Sequence, residues 1–306
     1  MAVQQFRAGP PERIARQHQR YGMLMVLPLV LGLSIFFVLP LLQSVFYSFT
    51  DLGAFGAWQH LTLDNYVRLW SDEKLRAALW NTCVYAVVCV PLILAISLGL
   101  ALALNANVKG IGVYRTLLFV PAVTMSTAVA LVWRWIFDFD FGLLNQLLEQ
   151  FQVDPQAWLA DPQVVRISIM AVLVWSSIAV KMVILLAGLQ AVPGEMLEAA
   201  WMDGAGKWAR FRYVILPQMV PTLFFVSVMT LIEVLQIFDL IYMLVGRNPL
   251  VEDHAQSIVY LFYKYAFEEQ EKGYASAVAM VLFAITMLLT VAQLKLNRYL
   301  TRWQGQ

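Results

Sequence analysis

The sequence predicts an all-α integral membrane protein of six transmembrane helices, and three observations carry that prediction. Of the 306 residues 60% are hydrophobic and only 13% charged, with a mean hydropathy of +0.68, which is more apolar than a water-exposed surface tolerates. Apolar stretches of roughly 20 residues, enough to cross about 30 Å of hydrocarbon, recur at 22–47, 78–105, 113–137, 166–192, 216–245 and 274–296. Lys and Arg gather in every second connection between them.

The first stretch is too long for a signal-peptide core and lacks a small-x-small cleavage pattern after it, so it is expected to stay as span 1. Pro28 and Pro40 kink it without ending it, because neighbouring helices can take over the lost backbone bonds. The domain plan is a tail at 1–21, a transmembrane domain at 22–296 with an elbow at 194–217, and a tail at 297–306.

Orientation follows from the basic residues. Arg7, Arg13, Arg16 and Arg20 precede span 1; Lys109 and Arg115 follow span 2; Lys207, Arg210 and Arg212 follow span 4; Lys295, Arg298 and Arg302 close the chain. The opposite connections are longer and acid-leaning, with Asp51, Asp64, Asp72 and Glu73, then Asp138, Asp140, Glu149, Asp154 and Asp161, then Glu252, Asp253, Glu268, Glu269 and Glu271. Six crossings with this alternation place both termini in the cytoplasm. The segment "LTLDNYVRLWSDEKLRAALWN" then forms short interfacial helices on the outer face.

Several classes of function are excluded. A net charge of +1 without any long block of like charges gives no footprint for nucleic acid. No G-x-x-x-x-G-K-[ST] loop is present; Gly110-x-Gly112 and Gly204-x-Gly206 lack the strand-loop-helix setting that cradles phosphate. Cys83 and Cys89 lie six apart in one apolar run, without disulfide or metal spacing, and read as packing residues; His18, His60 and His254 are scattered in polar segments. No nucleophile, general base or zinc-ligand set appears, so neither catalysis nor a bound cofactor is expected of this chain.

The connection between spans 4 and 5, "EAAWMDGAGKWARFRYVILP" at 198–217, is more elaborate than a turn. Pro193 and Gly194 end span 4, residues 195–203 have helical propensity, and Gly204 and Gly206 stop that helix because glycine readily takes the left-handed conformation. Met196, Leu197, Ala200 and Trp201 cluster on one side, and Val214-Ile215-Leu216-Pro217 leads into span 5. The product is a short helix lying across the membrane face and joined to two spans. An amphipathic helix resting among headgroups has the same composition.

The order of residues goes further. Glu198-Ala199-Ala200, three residues, Gly204, nine residues, then Val214-x-Leu216-Pro217 resembles the "EAA" loop in the membrane subunits of binding-protein-dependent ABC importers. Val214 stands where that family usually has isoleucine. The segments at 63–82, 133–145, 185–211 and 238–249 look like the carbohydrate-uptake permeases of the maltose and glycerol-3-phosphate type, although Arg247-Asn248 departs from the glycine-rich ending often seen there. The resemblance implies a type I ABC importer permease fold in the bacterial or archaeal cytoplasmic membrane. It implies that the elbow is a coupling helix that docks on a cytoplasmic ATPase, with Glu198 making polar contact, Ala199 and Ala200 allowing close approach, Gly204 the turn, and Asp203, Leu216 and Pro217 completing the motif. The implied partners are a second homologous permease chain forming a heterodimer, two ATPase subunits that bind ATP and Mg, and an extracytoplasmic solute-binding protein. A self-contained secondary transporter or channel is the competing reading, and its support is the intramembrane set Lys181, Glu233 and Asp239.

Charges at membrane depth are costly and functional. Thr230, Glu233, Gln236 and Asp239 fall at steps of three, and on one helix they make a polar strip rising about 13 Å, suited to the wall of a water-filled path. Ser177 and Lys181 share a face of span 4. Lys181 stands where related permeases often carry an amide within W-x-x-x-x-x-N-M, so it either pairs with Glu233 or faces the path and meets an anionic group. Arg134, between Trp133 and Trp135, reads as a snorkelling cation in an aromatic belt.

Overall fold

The computed structural model describes residues 12–54, 56–105, 110–246 and 248–302, with backbone alone for 12–20 and 299–302. Arg7, Lys109 and Arg247 lie outside the described residues. Among the described residues all regular structure is helical, apart from one isolated antiparallel bridge between Thr50 and Leu61. Among the described residues five helices are long and apolar enough to cross a membrane, namely Tyr21–Ser48, Glu73–Leu104, Val165–Gln190, Lys207–Leu235 and Lys272–Arg298, and there are six where the bent pair Ile111–Val123 and Ser126–Ile136 is counted as one span.

Span 1 continues through Pro28 and meets Pro40 with a π-helical turn over Ser34–Val38, where Leu39 N–H donates to the carbonyl of Ser34. The widened turn accommodates a residue that has no amide hydrogen to give. The same device recurs at Phe211–Ile215, just ahead of Pro217, so span 5 starts as one continuous helix from Lys207. None of the apolar window of span 1 is buried. Only its last segment, Leu39–Ser48, packs on span 6.

Span 2 starts at Glu73 because the Asp72 carboxylate caps the N–H groups of Lys74 and Leu75. Span 4 is the central element, buried over 56% of its apolar window against span 2, the helix Ile111–Val123 and span 5. An apolar core built from Tyr85, Cys89, Ile93, Val165, Ile169 and Ile241 fills one half of the bundle; Leu104, Met182, Leu185, Leu189 and Met219 fill the half nearer the elbow. In the second half, a Cβ added at Gly188 would lie 2.8 Å from the Thr222 side chain, which shows how closely spans 4 and 5 approach. Cys89 is core, as expected, but Cys83 is exposed on the flank of span 2. A helix apolar all round does not say which of its faces packs.

Two expected crossings are broken. The stretch 113–137 is two helices, Ile111–Val123 and Ser126–Ile136, meeting at 101°. Thr124 Oγ1 donates to the carbonyl of Val120, Pro121 has no amide hydrogen, and Thr124 and Met125 turn to extended backbone. The stretch 216–245 stops at Leu235 and resumes as Asp239–Val245. There the unwound carbonyl of Ile237 is satisfied by the Ser257 hydroxyl, which is fully buried. Thr230, Glu233, Gln236 and Asp239 therefore do not form one helical strip. Thr230 is fully buried, with its hydroxyl donating to the Val226 carbonyl.

Candidate functional site

The elbow helix runs Gly194–Met202, with Pro193 at its N-cap and Asp203 at its C-cap. Gly204 follows at φ +77°, and two bonds close the end: Gly204 N–H to the Trp201 carbonyl at 3.0 Å and Ala205 N–H to the Ala200 carbonyl at 2.9 Å. This is the two-bond glycine cap that a left-handed residue makes possible. No residue of the helix is buried, and Trp201 and Met202 are 66% and 82% exposed. Glu198 and Ala199 are exposed and Ala200 half-buried, while Leu216 and Pro217 are half-buried where span 5 begins. The elbow is thus held by its own caps and two spans, and its surface is open.

At the other break, a cavity of about 320 Å³ is lined by Ser177, Lys181, Glu233, Gln236 and Asp239, all five residues expected on the pathway. Both interrupted helices open on it, through Pro121, Thr124 and Ser126 from one break and Phe238 from the other. Discontinuous helices place irregular backbone where it borders a cavity, the one setting in which membrane depth tolerates it. The unexpected lining residues, Thr124, Ser126 and Ser176, carry hydroxyls too weak to stand out in a hydropathy reading. Phe238 also stacks near Tyr263, with ring centroids 4.9 Å apart, at the head of an aromatic group that includes Tyr242 and Phe267.

The charges in this cavity are organised around one pair. Lys181 Nζ binds Glu233 Oε2, and Ser177 Oγ donates to Glu233 Oε1 at 2.8 Å. The lysine side chain is only 6% exposed and the glutamate 43%, so the cation sits behind its partner. Among the described residues the Asp239 carboxylate and the Gln236 amide have no protein hydrogen-bond partner, and both residues are exposed. Of the two roles open to Lys181, the structure shows the pairing. With the pair closed, the self-contained transporter loses its free intramembrane cation.

The bundle end away from the elbow carries a cluster that sequence reasoning missed. The hydroxyls of Tyr265 and Tyr274 donate to Asp72 Oδ2 at 2.8 and 2.6 Å, and Arg68 lies over the Tyr274 ring at 4.0 Å while pairing with Glu271. Burial pushes the Asp72 carboxyl up, but the two hydroxyls and the N–H groups of Leu75 and Lys74 outweigh it and hold the carboxyl below its usual range. The partners of Asp72 are 193 and 202 residues downstream, so no local pattern could have announced them. The helix Asp64–Ser71 is pinned there, with Trp70 88% exposed.

Residues 79–302 match the family described as binding-protein-dependent transport system inner membrane component. The chain belongs to that family. It is a multi-pass permease subunit of a binding-protein-dependent importer, and not an enzyme. The permease is 30% identical over 288 residues to the trehalose/maltose transport system permease protein MalF of Thermococcus litoralis, covering 94% of this chain and 97% of that one. It is 33% identical over 276 residues to the multiple sugar-binding transport system permease protein MsmF of Streptococcus mutans, covering 90% and 93%. Its fold matches a chain in the crystal structure of a bacterial alginate ABC transporter in complex with an alginate pentasaccharide-bound periplasmic protein, with a TM-score of 0.81 at 20% identity over 95% and 97% of the two chains.

Proposed function

We propose that this permease forms half of the translocation pathway for a sugar or sugar derivative, in an importer driven by ATP. The solute arrives from an extracytoplasmic binding protein, a second homologous permease supplies the other half, and two cytoplasmic ATPase subunits, which alone use ATP and Mg, dock on the elbow through Glu198, Ala199, Ala200, Asp203, Gly204, Leu216 and Pro217. Both termini and the elbow face the cytoplasm. The observation that carries this reading is the elbow itself: a capped helix with no buried residue that joins the two spans bearing Ser177, Lys181 and Glu233. An interfacial anchor needs no rigid junction to cavity-bearing spans, whereas a lever does. The sugar assignment is supported by Phe238, Gln236, Asp239 and the hydroxyls of the cavity, and by the substrates named for the two relatives.

Reporter fusions test the orientation. Fusions after Arg20, Gly206 and the C-terminus are expected to report cytoplasmic, and those near His60, Asp154 and Asp253 external. An external signal at Gly206 removes the ATPase-docking reading. Co-purification of a cytoplasmic ATPase with the parent chain, lost on Glu198→Lys, supports it.

A further inference from the structure

The ionisable residues that line the cavity are one cation, Lys181, and two carboxylates, Glu233 and Asp239. The cation is not available to a solute, because it is 6% exposed and bound to Glu233. What the cavity presents outward is the far side of the paired carboxylate, the unpartnered carboxylate of Asp239, the unpartnered amide of Gln236, hydroxyls at Thr124, Ser126 and Ser176, and the ring of Phe238. Its net charge is one negative.

We propose that this cavity takes hydroxyl-rich solutes without an anionic group, neutral sugars or amino sugars, and disfavours uronates, sulfonated sugars and sugar phosphates. The proposal rests on reading the chain as a sugar-importer permease and names the solute class. Sugar hydroxyls donate to Asp239 and exchange hydrogen bonds with Gln236, and the apolar face of a pyranose packs on Phe238. A solute ammonium gains the field of Asp239. A solute carboxylate or phosphate meets that field with the wrong sign and finds no free cation among the lining residues. A sphere of 320 Å³ has a radius of roughly 4 Å, so a bound anion cannot retreat from the carboxylates by more than a few ångström. Even at the dielectric constant of water, one unit charge at about 4 Å changes affinity roughly fivefold, and in a partly desolvated cavity by more.

The side chains allow a graded test. Asp239→Asn takes the lining from net minus one to zero without removing a hydrogen bond or ion pair, since the Asp239 carboxylate has none among the described residues. Asp239→Asn with Glu233→Gln leaves Lys181 uncompensated and takes it to plus one. The assembled importer in nanodiscs, with its binding protein saturating and identical in every comparison, is assayed for sugar-stimulated ATP hydrolysis. The neutral probes are maltose, trehalose and lactose, the cationic probe is the β-1,4 dimer of glucosamine, and the anionic probes are digalacturonic acid and glucose 6-phosphate. The shared binding protein cancels from the ratio of variant to parent. Relative to the parent, Asp239→Asn should raise the response to anionic over neutral or amino probes at least about fivefold, and the double variant should raise it further. A variant-to-parent ratio that is the same for anionic and neutral probes, or that falls for the anionic ones, overturns the charge-selection proposal while leaving the importer intact. A parent unresponsive to every probe overturns the sugar-importer reading, and the proposal falls with it.

Discussion

Gly204 offers a way to test the elbow by conformation alone. Its backbone is left-handed at φ +77°, and a Cβ added there would meet nothing within 4 Å, so in this chain any substitution acts through the backbone and not through a clash. An L residue other than glycine in that region costs about 1–2 kcal/mol, and a β-branched residue costs more, whereas Asn tolerates it by bonding locally. No residue of Gly194–Met202 is buried, so little packing is present to restore the turn. A loss of about 1–2 kcal/mol is a factor of roughly 5–30 in the population of the capped elbow. If the ATPase docks on the turned elbow, its affinity should fall by the same factor in Gly204→Ala, further in Gly204→Val, and by no more than about twofold in Gly204→Asn. Titration of the purified ATPase onto the permease pair in nanodiscs reads the affinity, and solute-stimulated hydrolysis reads the coupling. Membrane insertion and expression should be unchanged throughout. Asn as damaging as Val would mean that the partner rejects any side chain at 204 and that the turn is not the cause. A harmless Val would show that docking does not depend on the turn.

Three other perturbations probe the frame around the elbow and cavity. Gly273→Ala would place a Cβ 2.3 Å from the Thr50 carbonyl oxygen and 3.0 Å from the Leu52 amide, forcing the segment after span 1 off the start of span 6; a loss of about 1–3 kcal/mol should appear as a lowered Tm in detergent, and an unchanged Tm would refute that packing. Asp72 has a lowered folded pKa, so its contribution to stability is complete above the ordinary value of 3.8 and is lost as pH falls through the lower folded value; the Tm difference between the parent and Asp72→Asn should be constant from neutral pH down to about 5 and shrink only below 3.8. A difference that grows on acidification would reverse the sign and exclude the mechanism. Lys181→Glu should lower assembled importer on gels and uptake by more than tenfold, because it sets two carboxylates together, and Glu233→Lys should partly restore both; the absence of any rescue would show that the pair is not what holds spans 4 and 5 in register.

What the sequence could show was set by the range of the interactions involved. The elbow was legible almost to the residue because Pro193 and Gly204 act on their own backbone, and the cap at Gly204 uses carbonyls only three and five residues back; Gly206, expected to share the left-handed stop, is instead extended at φ −66° and caps the next helix. Four of the cavity-lining residues, Lys181, Glu233, Gln236 and Asp239, were legible because a charge or amide in an apolar run stands out, whatever the helix does around it, and Ser177 because it falls four residues before Lys181. The two breaks were not. Thr124 can bond the Val120 carbonyl in many intact helices, and whether it ends one depends on what packs around it. Ile237 is unwound with its carbonyl on Ser257, a residue 20 positions away, and a hydropathy window averages over such a join. The strip at 230–239 failed for the same reason, although Glu233, Gln236 and Asp239 still reach one cavity: the break turns Asp239 toward it instead of the helical repeat. The Asp72 cluster depends on Tyr265 and Tyr274, and the exposure of Cys83 on a helix with no polar face, so neither could be read locally.

The positions of the breaks also constrain how a push on the elbow can travel. Span 4 is unbroken from Val165 to Gln190 and span 5 from Lys207 to Leu235, and the elbow joins their ends. Gly188 meets Thr222 close to the elbow, and Lys181 holds Glu233 farther along, so the two helices are tied at two heights separated by seven residues of span 4, about 10 Å. A pair of helices tied twice moves as one body. Between the elbow and the first tie span 5 carries the π-helical turn at Phe211–Ile215 and the prolines Pro217 and Pro221; beyond the second tie the backbone is broken at 236–238, and across the cavity at Thr124–Met125. If the elbow is the lever proposed above, the wall made of Ser177, Lys181 and Glu233 would follow it, while Asp239 and the Thr124–Ser126 side belong to segments on the far side of a break, so motion would reshape the cavity at those joints and leave the Lys181–Glu233 pair intact.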